Sequence, residues 1–178
     1  MAADGERTTV PDGIEAAHIE EPRGWRDHAS PISLIVLAAV VAVGASGLAG
    51  SRSVERAAEG PAARMTMASP EIIRNGEIYE ARIAVEARQP IGKLAIGITP
   101  ALWRETTVNS MVPAAADETQ ADGLFRFAYG PLGRGDRFEV KISLQVNPTL
   151  GGTNEGRVVL LDGEKPLVEL QRSVRILP

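Results

Sequence analysis

Hydrophobic positions follow three different rhythms along this 178-residue chain. Residues 1–31 show no usable period and are interrupted by Pro11, Pro22 and Pro31, which predicts a disordered acidic tail. From Ile32 to Ala49 the rhythm vanishes into an unbroken apolar run, ISLIVLAAVVAVGASGLA, with no charge between Asp27 and Arg52. From Arg64 onward the period becomes two, the signature of half-buried strands.

The apolar run has the dimensions of a membrane span. Its eighteen residues would cover roughly 27 Å as a helix, close to the ~30 Å hydrocarbon thickness. Pro31 suits a first helical position, and Trp25, Arg26 and Arg52 suit the two interfaces. The segment 32–51 is therefore predicted to be a transmembrane helix. A cleavable signal peptide competes, because Gly47-Leu48-Ala49 offers small residues for a peptidase, but the long acidic segment before it is unlike a short basic n-region. A buried core helix is the third reading, disfavoured by the length of the uncharged run. Ala38, Ala42, Ala45 and Ala49 recur on one helical face and form a candidate helix-packing stripe.

Orientation does not follow from charge. Arg23 and Arg26 precede the helix while Arg52, Arg56 and Arg64 follow it, so the positive-inside rule gives no vote. A cytoplasmic N-terminus and an exported C-terminal part, in a cell (inner or plasma) membrane, are expected from the kind of domain that follows. Residues 52–63, RSVERAAEGPAA, read as a polar linker.

Over 64–178 the alternation marks successive strands. Met65 and Met67 begin the series, and Ala81, Ile83, Val85 and Ala87 continue it. Leu94, Ile96 and Ile98 follow, then Phe125, Phe127 and Tyr129, then Phe138 to Val146. Val158 to Leu161 form a continuous apolar run, and Val168, Leu170, Val174 and Ile176 alternate to the end, with Arg172 as an exception. Turn signals at Asn75-Gly76, Asp122-Gly123, Gly133 to Asp136, Asn147-Pro148 and Asp162-Gly163 separate them. The expected fold is all-β: an immunoglobulin-like antiparallel β-sandwich of seven or eight strands, preceded by the one transmembrane helix. Asp162-Gly163 is a hairpin candidate.

Composition then changes the picture in two ways. The formal net charge of −4 resides entirely in the tail, where residues 1–31 hold seven acids and three bases while residues 52–178 hold sixteen of each. A charge-balanced domain in a chain with only 4% aromatics is a poor candidate for nucleic-acid binding. The chain has no cysteine, and its two histidines, His18 and His28, precede the sandwich. Ser-His-Asp and Cys-His catalysis and cysteine-based zinc sites are thereby excluded from the β domain.

The remaining candidate chemistry is sparse. Asp117, Glu118 and Asp122 fall in what reads as one long loop, but their spacing departs from the EF-hand pattern, so a solvated acidic loop is expected rather than a calcium site. Arg134-Gly135-Asp136 spells an adhesion tripeptide, yet it reads first as a tight turn in which Asp136 accepts backbone hydrogen bonds. Trp103 lies in ALWRETTVNSMVP, neither a clear strand nor a polar loop. It is read two ways: as a core plug across an open end of the sandwich, or, with Arg104 and Asn109, as a partner-facing surface. No catalytic residue, metal ligand or cofactor is expected, and the protein is not expected to be an enzyme.

Trp103, Thr107-Val108-Asn109, Pro113, Asp122-Gly123, Gly130-Pro131-Leu132, Gln145-Val146-Asn147-Pro148-Thr149 with Gly151, and Ile176-Leu177-Pro178 together resemble a group of single-pass bacterial membrane proteins. Their genes are often found beside those of YetF-type membrane proteins. The resemblance covers roughly Ile32–Pro178, with Gln145–Gly151 its most specific piece. The group has no established activity, so the resemblance implies no catalysis; it implies a membrane-protein partner. The function expected is a membrane-anchored protein whose exported sandwich binds or supports another membrane or envelope protein. The alternative is a secreted module for carbohydrate or another surface ligand, released by signal cleavage.

Overall fold

The computed structural model describes residues 26–46, 51–148 and 151–178, and the side chains of all of these except 26–30. The chain divides into two compact units, Met1–Ala49 and Gly50–Pro178.

In the first unit, α1 spans Arg26–Ala45. Pro31 lies inside this helix rather than opening it, so helical backbone begins more than a turn earlier than the proline signal suggests. The apolar part of α1 runs from Ile32 to Ala45, fourteen residues, or about 21 Å. Among the described residues, no helix is long and apolar enough to cross a membrane. The tail before Arg26, and Gly47 to Gly50 at the end of the predicted span, lie outside the described residues.

The second unit is a β-sandwich of eleven strands among the described residues. Their ranges are β1 Ser53–Glu59, β2 Ala63–Pro70, β3 Ile72–Arg74, β4 Ile78–Ala87, β5 Ile91–Ile98, β6 Thr106–Val112, β7 Asp117–Ala121, β8 Leu124–Leu132, β9 Arg137–Val146, β10 Gly152–Asp162 and β11 Lys165–Leu177. One sheet has the order β1-β2-β4-β9-β6 and the other β3-β11-β10-β5-β8-β7. All pairings are antiparallel except β3 with β11, which is parallel. The expectation of a two-layer all-β sandwich therefore holds, with more strands than the seven or eight expected.

The alternation read from sequence is the alternation of burial. Ala81, Ile83, Val85 and Ala87 of β4 and Val140, Ile142, Leu144 and Val146 of β9 are all buried, and they face Ile96, Ile98, Val158 and Leu160 of the other sheet in one core. The unbroken run Val158 to Leu161 has a separate cause. Val159 and Leu161 point to the outer face of the second sheet, where Leu124 and Ala95 bury them in a small second cluster. A Cβ at Gly97 would meet Leu124 Cδ1 at 2.9 Å, so its absence lets Leu124 lie flat over the sheet.

Two hairpins follow their turn chemistry. β7 and β8 are joined by Asp122-Gly123, both with positive φ as a type I′ turn demands. β10 and β11 are joined across Gly163-Glu164, with Gly163 alone at positive φ.

The linker expected over 52–63 is not a linker. Ser53–Glu59 pairs along its whole length with β2, from Ser53↔Pro70 to Glu59↔Arg64. Val54 and Ala58 are its only partly covered side chains, so the strand carries almost no apolar alternation to reveal it. The acidic loop is likewise a strand: Asp117 to Ala121 pairs with β8.

Candidate functional site

The stretch ALWRETTVNSMVP links the two sheets. It leaves β5 as a short 3₁₀-helix, Pro100–Trp103, and enters β6 of the opposite sheet. The 3₁₀-helix is pressed onto β10, where a Cβ on Gly156 would meet Leu102 Cβ at 3.0 Å and Thr99 Cβ at 3.1 Å. Asn154, itself buried, donates from Nδ2 to the Arg104 carbonyl at 2.9 Å and to that of Leu102 at 3.5 Å, which pins the turn.

This geometry decides between the two readings of Trp103. The ring is 9% exposed and packs against Phe127, with centroids 5.7 Å apart and planes tilted by 50°. It closes one end of the core and leaves little surface for a partner. The assignment of Trp103 to a partner-facing surface is therefore corrected, because the core supplies the aromatic contact that a partner would have had to supply. Arg104 and Asn109 are exposed, as a surface role requires. Asn109 sits at an irregularity: β6 pairs Val108 with Leu144 and Ser110 with Ser143, and Asn109 has no opposite number on β9. It is the extra residue of a bulge on an edge strand.

The inner side of β6 meets two tyrosines. Met111 Sδ accepts from the Tyr129 hydroxyl at 2.9 Å, and Tyr79, on β4 of the same sheet as β6, lies beside Thr106. Burial pushes the Tyr79 hydroxyl up to about 12, with the Thr106 hydrogen bond opposing the shift. Burial and the nearby Glu118 carboxylate push Tyr129 up to about 12 as well. Phe138 stacks at a tilt on Tyr129, centroids 4.6 Å apart.

A second arrangement stands where β1 and β2 approach β11. Arg172, which broke the alternation of β11, points inward with the apolar residues on either side, and its side chain is 1% exposed. Its Nη2 donates to Ser69 O at 3.0 Å and to Ser69 Oγ at 2.5 Å, and its Nη1 to Glu71 Oε1 at 3.3 Å. Arg56 from β1 reaches the same Oε1 through Nε at 2.9 Å and Nη2 at 2.8 Å. Burial lowers the pKa of Arg172, Glu71 opposes that and Arg56 reinforces it. Outside this cluster lies a cleft of about 610 Å³ whose lining includes Arg56, Glu71, Glu155 and Arg175. Only the interruption of the period at Arg172 could have signalled this cluster in the sequence.

The other candidate residues separate. Asp122 pairs with Arg126, and Asp117 and Glu118 lie along β7. Among the described residues, no three His, Cys, Asp or Glu side chains are grouped as metal ligands. In the Arg134-Gly135-Asp136 turn, Asp136 Oδ2 accepts from Gly133 N at 3.0 Å, and Gly135 has positive φ. That is the tight turn expected of it. Ala38, Ala42 and Ala45 lie on α1 and are exposed; Ala49 lies outside the described residues.

No protein-family model matches the chain, and no curated protein matches it. Among solved structures it is similar to the CARDB domain of the PF1109 protein of Pyrococcus furiosus, at 13% identity and a TM-score of 0.42, over 67% of this chain and 90% of that one. It is also similar to a non-cellulosomal cohesin of Archaeoglobus fulgidus, at 12% identity and a TM-score of 0.37, over 64% of this chain and 91% of that one. The sulfur carrier protein SoxY of Chlorobium limicola f thiosulfatophilum matches at 17% identity and a TM-score of 0.40, over 64% and 79% of the two chains. At these values the likeness says nothing about activity. What the chain is at the level of fold rests on its own two sheets: a two-layer all-β sandwich.

Proposed function

We propose that this chain is a membrane-anchored binding protein: the apolar segment around α1 holds it in a bilayer, and the sandwich binds or supports another membrane or envelope protein without catalysis. The observation that carries the anchoring is the surface of α1. Leu34, Ile35, Val36 and Leu37 are 58–68% exposed, and four consecutive helical positions cover the whole circumference. A helix apolar on every side needs an apolar surrounding, and a bilayer is the surrounding that its sequence neighbourhood fits, since no charge occurs between Asp27 and Arg52. The resemblance to single-pass membrane proteins agrees with this and makes a membrane-protein partner the natural choice. A cytoplasmic tail and an exported sandwich complete the reading. Its acids and arginines favour binding over chemistry, because Glu71, Asp122 and Asp136 already hold internal partners.

The secreted alternative has its own supporting observation. The Ser51 hydroxyl donates to the Glu77 carboxylate at 2.5 Å and β1 starts at Ser53, so cleavage after Ala49 would release the sandwich with every strand intact. Carbonate extraction of cells expressing the full chain, followed by N-terminal sequencing, separates the two. Retention in the pellet with an intact N-terminus is expected; a soluble product beginning near Gly50 would overturn the anchor. Crosslinking in cells with mass spectrometry then identifies the partner.

A further inference from the structure

The sandwich has four edges, and three of them are guarded. β3 is three residues long. β7, Asp-Glu-Thr-Gln-Ala, carries two adjacent acids in five residues. β1 carries Glu55, Arg56 and Glu59, with Arg56 committed to Glu71. β6 differs from all of them. Its seven residues, Thr-Thr-Val-Asn-Ser-Met-Val, contain no charge, no proline and no glycine, and four of the seven are β-branched. Among the described residues of the sandwich, Val108 and Val112 are two of four exposed large hydrophobic side chains, and Val112 is 63% exposed. Among the described residues, no strand pairs with the outer side of β6.

Natural sheets protect an open edge with charge, proline or a bulge, because a row of unpaired N–H and C=O groups recruits other strands. Here only the bulge at Asn109 and the proline that follows, Pro113, interrupt the edge. We propose that β6 is an interface with a second copy of this chain, the two β6 strands pairing antiparallel about a two-fold axis. The charge pattern selects this occupant. In a two-fold ribbon each residue meets itself or its symmetry mate, so any net charge in the strand is doubled across about 5 Å. Pairing β7 with itself would crowd four carboxylates into a ribbon of five residues per strand, whereas pairing β6 brings none together. Its inner side is already held by the Tyr129–Met111 contact, so the edge is presented by a supported strand rather than a loose one. A ribbon of this size is well below the ~1,600 Å² of a standard interface, so the dimer is expected to be weak and populated at roughly 10–100 µM.

The chain has no cysteine, so single introduced cysteines report only themselves. Thr107→Cys, Ser110→Cys and Val112→Cys probe β6, with Ala57→Cys on β1 and Thr119→Cys on β7 as references, all in the full chain in detergent or nanodiscs. A symmetric pair bridges only where two Cα atoms come within about 4.4–6.8 Å, and a short bis-maleimide tolerates either position of the axis. The expected result is a covalent dimer from at least one β6 position and from neither reference. Ser110→Lys, which places two ammonium groups near the axis, should weaken the dimer about tenfold in sedimentation at unchanged circular dichroism. Absence of a covalent dimer from every β6 position, or equal yields from β1 and β7, would overturn the proposal. So would a wild-type chain that stays monomeric throughout the concentration range above.

Discussion

The two edges of the five-stranded sheet are joined to the opposite sheet by different chemistry. At β1 the joint is ionic: Arg172 crosses from β11 to Ser69 and Glu71, and Arg56 closes over the same carboxylate. At β6 the joint is neutral: the Tyr129 phenol of β8 donates to the Met111 thioether, while Tyr79, from β4 of the same sheet as β6, lies beside Thr106. A buried guanidinium demands partners in fixed positions and consumes the polar groups around it. A tyrosine demands one hydrogen bond and otherwise behaves as apolar packing. The first joint turns its charges inward, whereas the second leaves the outer side of its strand uncharged. The comparison can be tested joint by joint.

The largest effect belongs to the turn that feeds β6. Trp103→Ala should cost about 3–5 kcal/mol, since it removes a buried indole and leaves Phe127 facing a cavity. Urea or thermal unfolding followed by the β-sheet signal measures this. A loss below about 1 kcal/mol would mean that the 3₁₀-helix collapses freely over the gap, and that the end of the core is softer than its packing indicates.

Next comes the neutral joint itself, through pH. Below pH 10 both tyrosines are protonated whether the chain is folded or not, so nothing changes there. Above pH 10 an unfolded chain ionises its phenols, while Tyr79 and Tyr129 keep their protons to about 12 in the folded state. The unfolded state then binds fewer protons, so stability falls as pH rises from 10 to 12 and levels off above. Tyr79 accounts for about 2–3 kcal/mol of that loss, and Tyr129, more open to solvent, for less. These are the chain's only tyrosines. Absorbance near 295 nm should therefore show no phenolate until well above pH 10 in the folded protein. The double variant Tyr79→Phe, Tyr129→Phe should remove this fall. Titration near 10 in the folded state would show that β6 leaves its phenols wet.

The ionic joint gives a smaller loss with a sharper signature. Glu71→Ala leaves Arg172 buried with Ser69 alone and should cost about 2 kcal/mol, less than a fully enclosed pair because Glu71 is one-third exposed. Arg172→Met removes the charge and keeps the volume, and should change stability by no more than about 1 kcal/mol in either direction. Equal losses in both variants would show that the guanidinium contributes net stability, and that the cost of Glu71→Ala is not merely the burden of an orphaned charge.

The same contrast explains what could be read from the sequence. The seven strands visible in the hydrophobic pattern, β2, β4, β5, β8, β9 and β11 as alternation and β10 as an apolar run, are the seven interior strands of the two sheets. The four that were missed, β1, β3, β6 and β7, are the four edges. An interior strand packs one whole face on the core and must alternate; an edge strand buries little and need not. Val54 and Ala58 on β1, or Thr106 and Met111 on β6, are too few to set a period. Arg172 was visible only as a fault in the pattern, since the glutamate and serine that explain it lie about a hundred residues away, 101 and 103 in sequence. Arg104 and Asn109 were found as exposed neighbours of a tryptophan, but Asn109 owes its place to a bulge that no single-sequence signal encodes.

The smallest effect concerns how tightly the ionic edge is closed. Gly60, in the turn between β1 and β2, lies against β11: a Cβ there would sit 2.7 Å from the Leu167 carbonyl oxygen and 3.1 Å from Val168 Cγ2. The obstacle at 2.7 Å is backbone, which cannot swing aside as a side-chain end would. Gly60→Ala must therefore push the β1–β2 turn away from β11, at a cost of about 1 kcal/mol or somewhat more. If the Arg172 cluster and this turn clamp the same edge, the loss should be coupled to that of Glu71→Ala. The double variant would then fall short of the sum by about 0.5 kcal/mol or more, because an edge already lifted at one point resists less at the other. Strict additivity would mean that the arginine and the glycine hold β1 independently. The ionic edge would then be a series of separate contacts, no more cooperative than the neutral edge at β6.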